Sequence, residues 1–128
     1  MFLDHQLFDL RPRPTLRRWL ARAFLVEGTA AGVRHYRELT RQHPDRFDES
    51  SLNFIGYLLL TQERIAEALA LFELIVEAFP ESANAHDSLG EACLRAGLHD
   101  RAFQCYWRSV ELDAENRNGW EMLRQLEN

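Results

Sequence analysis

Two stretches of the chain superimpose when it is shifted by 34 residues. Leu52, Ile55, Gly56, Leu59, Ala68, Phe72, Ile75 and Pro80 stand at positions 4, 7, 8, 11, 20, 24, 27 and 32 of one unit. His86, Leu89, Gly90, Cys93, Ala102, Tyr106, Ser109 and Ala114 stand at the same positions of the next. Residues spaced three and four apart share one face of a helix, so each unit reads as two amphipathic helices. One such pair cannot enclose a core, and successive pairs must stack on each other. The period therefore fixes an array of helical hairpins. Glycine at position 8 implies that the two helices of a unit nearly touch there.

The pattern extends in both directions. Leu16, Leu20, Ala23, Gly32, Tyr36, Leu39 and Pro44 fill positions 4, 8, 11, 20, 24, 27 and 32 of an earlier, degenerate unit. The step from Gly32 to Ala68 is 36, which places two extra residues in the loop Pro44-Asp45-Arg46-Phe47-Asp48. Trp120 and Leu123 open a fourth unit, whose outer residues Arg117, Asn118, Glu121, Arg124, Gln125 and Glu127 are polar, as a capping helix requires. The reading predicts helices at 14–26, 30–42, 49–61, 64–78, 83–95, 99–111 and 117–127. The units run over about 13–46, 49–82 and 83–116, with a capping helix at 117–127 and a tail at 1–12. Asp48 or Ser50 is placed to cap the third helix and Ser82 the fifth, while Gly28 and Gly97 fit helix ends. Pro44 and Pro80 punctuate turns. Gly119, on the capping helix, is expected to lie away from any close crossing.

A 34-residue period with a small residue at 8 and 20 and an aromatic at 24 resembles the tetratricopeptide repeat (TPR). The resemblance implies an all-α, right-handed superhelix of three helix hairpins plus a C-terminal capping helix. It also implies that positions 2, 5, 9 and 12 of each first helix line a concave groove. These are Pro14, Arg17, Ala21 and Phe24, then Ser50, Asn53, Tyr57 and Leu60, then Asn84, Asp87, Glu91 and Leu94, then Asn118, Glu121 and Gln125. The candidate groove is Arg17, Phe24, Asn53, Tyr57, Leu60, Asn84, Asp87, Glu91 and Leu94, with Tyr57 at its centre. Arg at one end and acids at the other suit a peptide or protein partner. The alternative is that Asn53, Asn84 and Asp87 only bond between neighbouring helices. TPR domains that clamp a C-terminal carboxylate use Lys and Arg at positions 2, 5 and 6 with Asn at 6 and 9. Here Asn53 and Asp87 hold position 5, Phe54 and Ser88 position 6, Tyr57 and Glu91 position 9, and no Lys occurs, so that clamp is not expected.

Two runs carry a narrower resemblance. Glu49 to Tyr57 follows E-x-x-L-N-x-x-G-Y, and Phe79 to Ala92 follows F-P-x-S-A-N-x-x-D-S-L-G-E-A. Both are similar to helical regions appended C-terminally to bacterial serine hydrolases of the β-lactamase-like and esterase kind. The likeness covers roughly residues 28–126 and none of the hydrolase catalytic motifs, so it implies an accessory module.

Catalysis within the chain is not expected. No G-x-S-x-G, HExxH, CxxC or Gly-rich phosphate loop is present. The five His are scattered, and His86 falls at a packing position. His86, Asp87 and Ser88 are consecutive on one helix and point about 100° apart, which is no triad. Glu63, Glu67, Glu73 and Glu77 read as a solvated face. No cofactor or metal site is indicated. Cys93 and Cys105, at positions 11 and 23 on facing helices, read as buried thiols.

Charge is unevenly divided. Residues 1–46 carry nine Arg against five acids, and residues 47–128 carry six Arg against fifteen. The aromatics Trp19, Phe24 and Tyr36 of the basic half lie on helical core spacing, not among the charges, which argues against nucleic-acid binding. No apolar stretch is long enough to span a membrane and no signal-peptide pattern opens the chain, so a cytoplasmic location is expected. Phe2, Leu3, Leu7 and Phe8 form an apolar cluster that the repeats do not use. Residues 1–10 are therefore expected to dock on a TPR surface, the chain's own or that of a second copy in a homodimer. The functional expectation is a protein-interaction module, with a self-associating assembly protein or a serine-hydrolase accessory module as alternatives.

Overall fold

The computed structural model describes residues 15–127. All their regular structure is helical: α1 (Leu16–Arg22, continuing as a π-helical turn over Ala23–Glu27), α2 (Thr29–Gln42), α3 (Glu49–Thr61), α4 (Ile65–Ala78), α5 (Ala83–Arg95), α6 (His99–Leu112) and α7 (Arg117–Glu127). The first helices begin at real caps. Thr15, Asp48 and Ser82 each accept a hydrogen bond from the backbone N–H three residues on. The second helices α4 and α6 follow tight turns in which position 15 has positive φ. Gly97 takes that place at φ 79° and Glu63 takes it at φ 61°. Glu63 thus holds a conformation that costs a side-chain-bearing residue roughly 1–2 kcal/mol. The loop between α2 and α3 is longer than those at Phe79–Ser82 and Asp113–Asn116, as the 36-residue step requires, and Phe47 within it is buried.

Sequence neighbours pack on each other except α2 and α3; α2 packs on α1 and α4, and α1, α3 and α5 also pack in series. The positions read from the period form the core. Leu52, Ile55, Leu59, Ala68, Phe72 and Ile75 are buried, as are Leu89, Cys93, Ala102, Tyr106 and Ser109. Ser109 is a polar residue in this core, and both its capacities are met: its hydroxyl donates to Ala83 O at 2.7 Å and accepts from Asn116 Nδ2 at 2.8 Å. His86 is the half-buried exception, its Nε2 2.9 Å from Pro80 O.

Position 8 works as a notch for the ring at position 24. A Cβ built on Gly56 would stand 2.4 Å from Phe72 Cζ, and one on Gly90 would stand 2.9 Å from the Tyr106 ring. The first unit reverses the arrangement. Leu20 fills position 8, the glycine is on the second helix, and a Gly32 Cβ would meet the Phe24 ring at 2.3 Å. The π turn explains how Phe24 reaches it. A turn closed by i→i+5 bonds sets the following side chains back in phase relative to an α-helix. Phe24 swings into the core, fully buried, and is not a groove residue. Arg64 secures the loosened turn by donating to Leu25 O at 2.7 Å. The expectation for Gly119 also fails: it is buried, and its Cβ would lie 2.6 Å from Val110 Cγ1, because α7 crosses α6 as closely as the hairpin partners cross each other.

Candidate functional site

The first helices α1, α3, α5 and α7 lie side by side, and their positions 2, 5, 6 and 9 form one continuous row of side chains. Pro14 lies outside the described residues. Hydrogen bonds between adjacent helices trace the row. The Tyr57 hydroxyl on α3 donates to Glu91 Oε1 at 3.2 Å and lies 3.1 Å from Ser88 Oγ, both on α5. Asp87 on α5 accepts from Asn116 Nδ2 at 2.9 Å and from Asn118 Nδ2 at 3.0 Å, reaching the start of α7. The Ser82 hydroxyl donates to Glu49, linking the N-terminal ends of α5 and α3.

The nine residues expected to line the groove fall into three groups. Phe24 and Leu60 belong to the core, Leu60 because the next hairpin covers it; Arg95 reaches over to the Leu60 carbonyl at 3.4 Å. Leu94 is half-buried against the same core. Tyr57, Asp87 and Glu91 are half-buried and engaged in bonds between helices. Asn53 is half-buried too, and its Oδ1 has no hydrogen-bond partner among the described residues. Arg17 and Asn84 are exposed.

Tyr57 is built into the seam. Its ring meets Phe72 edge-on at 5.3 Å, so it continues the packing of the Gly56 notch outward. Burial, assisted by the charges of Glu91 and Asp87 and opposed by the Ser88 hydroxyl, pushes its phenol up to about 12. A phenol so placed stays neutral and acts as a hydrogen-bonding tie.

The exposed apolar group on the row is one the groove positions leave out. Phe54, at position 6, is 56 % exposed, and the Arg17 guanidinium sits 4.8 Å above its ring. Position 6 falls beside position 5 on the helix, so a wider stripe would have included it. The cation over the ring face holds both side chains in place. The row thus runs from Arg17 and Phe54, through Asn53 and Tyr57, to Glu91, Asp87 and the exposed Glu121 and Gln125.

Elsewhere, Cys93 and Cys105 are free and buried on facing helices. Contact with Cys93, together with burial, pushes the Cys105 thiol up, which makes it an inert packing group. Among the described residues no group of His, Cys, Asp and Glu gathers to hold a metal, and no helix is long and apolar enough to cross a membrane.

Residues 54–116 match the family model TPR_16, described as tetratricopeptide repeat. Among solved structures the chain is similar to the first TPR of Spaghetti (RPAP3), bound to the HSP90 peptide SRMEEVD. The two are 17 % identical, with a TM-score of 0.61 over 88 % of this chain and 87 % of that one. No curated protein matches the chain. The fold is therefore all-α and of the TPR type.

Proposed function

We propose that the chain is a protein-interaction module that holds an extended peptide along the row formed by α1, α3, α5 and α7. The observation that carries this reading is the exposed Phe54 ring under Arg17, an apolar anchor and a cation at one end of a polar wall. Exposed aromatics beside Arg are the chemistry of interface hot spots. A peptide bound to a TPR domain of similar fold supports the same use of the architecture. The partner differs in chemistry from that acidic peptide. With no Lys on the row and with Glu91, Asp87 and Glu121 toward its C-terminal half, this wall favours a peptide with an apolar residue on Phe54, an acidic group near Arg17 and basic residues beyond. Affinity purification from the native host supplies the partner. Calorimetry then tests the site: Phe54→Ala weakens binding by about 2 kcal/mol or more, and the exposed position leaves the melting temperature unchanged. Tyr57→Ala lowers stability as well as affinity, because its ring packs on Phe72. Wild-type affinity in both Phe54→Ala and Arg17→Ala removes the row from consideration.

A second reading rests on the runs Glu49–Tyr57 and Phe79–Ala92, which resemble accessory regions of serine hydrolases. In this reading the row's partner is a hydrolase made as a separate chain. Co-purification of an activity that a fluorophosphonate probe labels supports it, and its absence from the purified complex removes it.

A further inference from the structure

Position 7 of the first helices separates α1 from the others. Ile55, Leu89 and Leu123 hold it on α3, α5 and α7 and are 0, 5 and 4 % exposed, whereas Trp19 holds it on α1 and is 58 % exposed. Position 10 divides in the same way: Ala92 is buried, Leu58 and Leu126 are partly so, and Arg22 is exposed. The order of the stack is the reason. α4 packs on α5 and α6 on α7, so a second helix covers the first helix that follows it. Among the described residues no helix precedes α1. Water at that end meets Trp19 and Val26, where the end of a repeat array needs a polar face.

We infer that residues 1–10 of the same chain fold back over this face of α1, with Leu7 and Phe8 against Trp19. The segment lies outside the described residues, and register, reach and charge select it. Pro44 and Pro80 stand four and two residues before the caps Asp48 and Ser82, and Pro12 stands three before the cap Thr15. Leu39 and Ile75, which pack in the core, stand five residues before those prolines, and Leu7 stands five before Pro12. Asp4 replaces the ring of Tyr36 and Phe72, so the likeness is to the last turns of a second helix and not to a whole one. Residues 11–14 are the link, within the roughly 2–8 residues that join packed helices. The segment therefore enters α1 beside the face it would cover. Residues 1–10 carry Asp4 and Asp9 and no Arg, while Arg18 and Arg22 are exposed on α1, whose first acid is Glu27. Opposite charges draw the two together. A second apolar site, the cleft between Trp107 and Trp120, is lined by Arg117 and Arg124 with Glu121 and Glu127 and offers an acidic segment no excess of positive charge. The outer face of α1 is separate from the row, and the inference does not rest on peptide binding there.

Fluorescence of Trp19 in the full chain tests the inference. Trp107→Phe with Trp120→Phe leaves Trp19 as the one tryptophan of the three. Its emission is then blue-shifted and acrylamide quenches it weakly, at every protein concentration. Adding Leu7→Asp and Phe8→Asp together shifts the emission to the red and raises the quenching constant severalfold. Circular dichroism shows the same helical content in both proteins, since the two substitutions lie outside the repeats. Asp4→Arg with Asp9→Arg, which leaves every apolar residue in place, also raises quenching. Trp19 equally open to acrylamide with and without the Leu7 and Phe8 substitutions overturns the inference. Protection that grows with protein concentration, alongside dimer formation in sedimentation, assigns the cover to a second copy and overturns it too.

Discussion

Gly56 and Gly90 show how one missing Cβ sets a helix crossing. In each, the aromatic ring of the facing helix fills the space where a side chain would begin. The two notches are not equally tight: Gly56 leaves 2.4 Å to a fully buried Phe72, and Gly90 leaves 2.9 Å to Tyr106. Adding a methyl group gains up to about 1 kcal/mol of helix propensity but forces a close-packed ring to move. Urea denaturation of Gly56→Ala should show a net loss of about 1–3 kcal/mol, and Gly90→Ala a smaller one. Equal stability of both variants with wild type would mean that the rings yield freely and the crossing distance is not set there. The notch at Gly56 was legible from the period. The equivalent contact of Gly32 with Phe24 was not, because it depends on the π turn, for which the sequence carries no marker.

Helix α7 illustrates how an element with few buried residues is held in place. Gly119 and Leu123 are its buried residues, so polar ties carry much of its attachment. Asp87 accepts from both Asn116 and Asn118, Asn116 also donates to Ser109, and the Asn116 Oδ1 accepts from Gly119 N at 3.2 Å. Removing the carboxylate leaves one N–H of the half-buried Asn116 amide unpaired, at about 1–3 kcal/mol, while the exposed Asn118 amide turns to water. In Asp87→Ala, hydrogen exchange across 117–127 should accelerate while protection in α3 and α4 stays as in wild type. Uniform acceleration along the chain would show instead that α7 unfolds only with the whole stack. Of the two uses read for Asp87 in the sequence, the bond between helices is the one the structure contains. Spacing alone placed the residue on the row, but whether it faced a neighbour or solvent turned on where α7 lay.

The whole molecule has an unusual alkaline behaviour built into its composition. All fifteen cations are Arg and none is Lys, so between the usual range of Tyr and that of Arg only Tyr and Cys titrate. The three Tyr are all displaced in one direction. Burial, with a push from Glu77, raises Tyr36; burial first raises Tyr57, up to about 12; and burial, with Asp87 and Glu91, raises Tyr106. Below about pH 10 every phenol is neutral in both folded and unfolded chains, and nothing is lost. Above it the unfolded chain ionises first, so stability falls as pH rises toward 12, with Tyr57 accounting for up to about 2–3 kcal/mol. Tyrosinate absorbance at pH 10.5 should therefore be smaller in the native protein than in urea, and the urea midpoint should drop above pH 10. A native titration centred near pH 10 would contradict the burial of all three rings.

The sequence by itself determined the period, the helix boundaries, the capping residue Ser82 and nearly all the core, and it left Asp48 and Ser50 open as the cap of α3. Each of these rests on local propensity or on which side of one helix a residue faces, and chain spacing encodes both. Only the tertiary structure decided what each residue of the row is for. Phe24 and Leu60 became core, Tyr57 and Asp87 became ties between helices, and Phe54 emerged as the exposed ring under Arg17. Those outcomes depend on the offset between neighbouring hairpins and on a π turn that shifts the phase of one helix. The offset belongs to no single helix, and the π turn of α1 is held from outside by Arg64, so neither is written in the spacing of one helix.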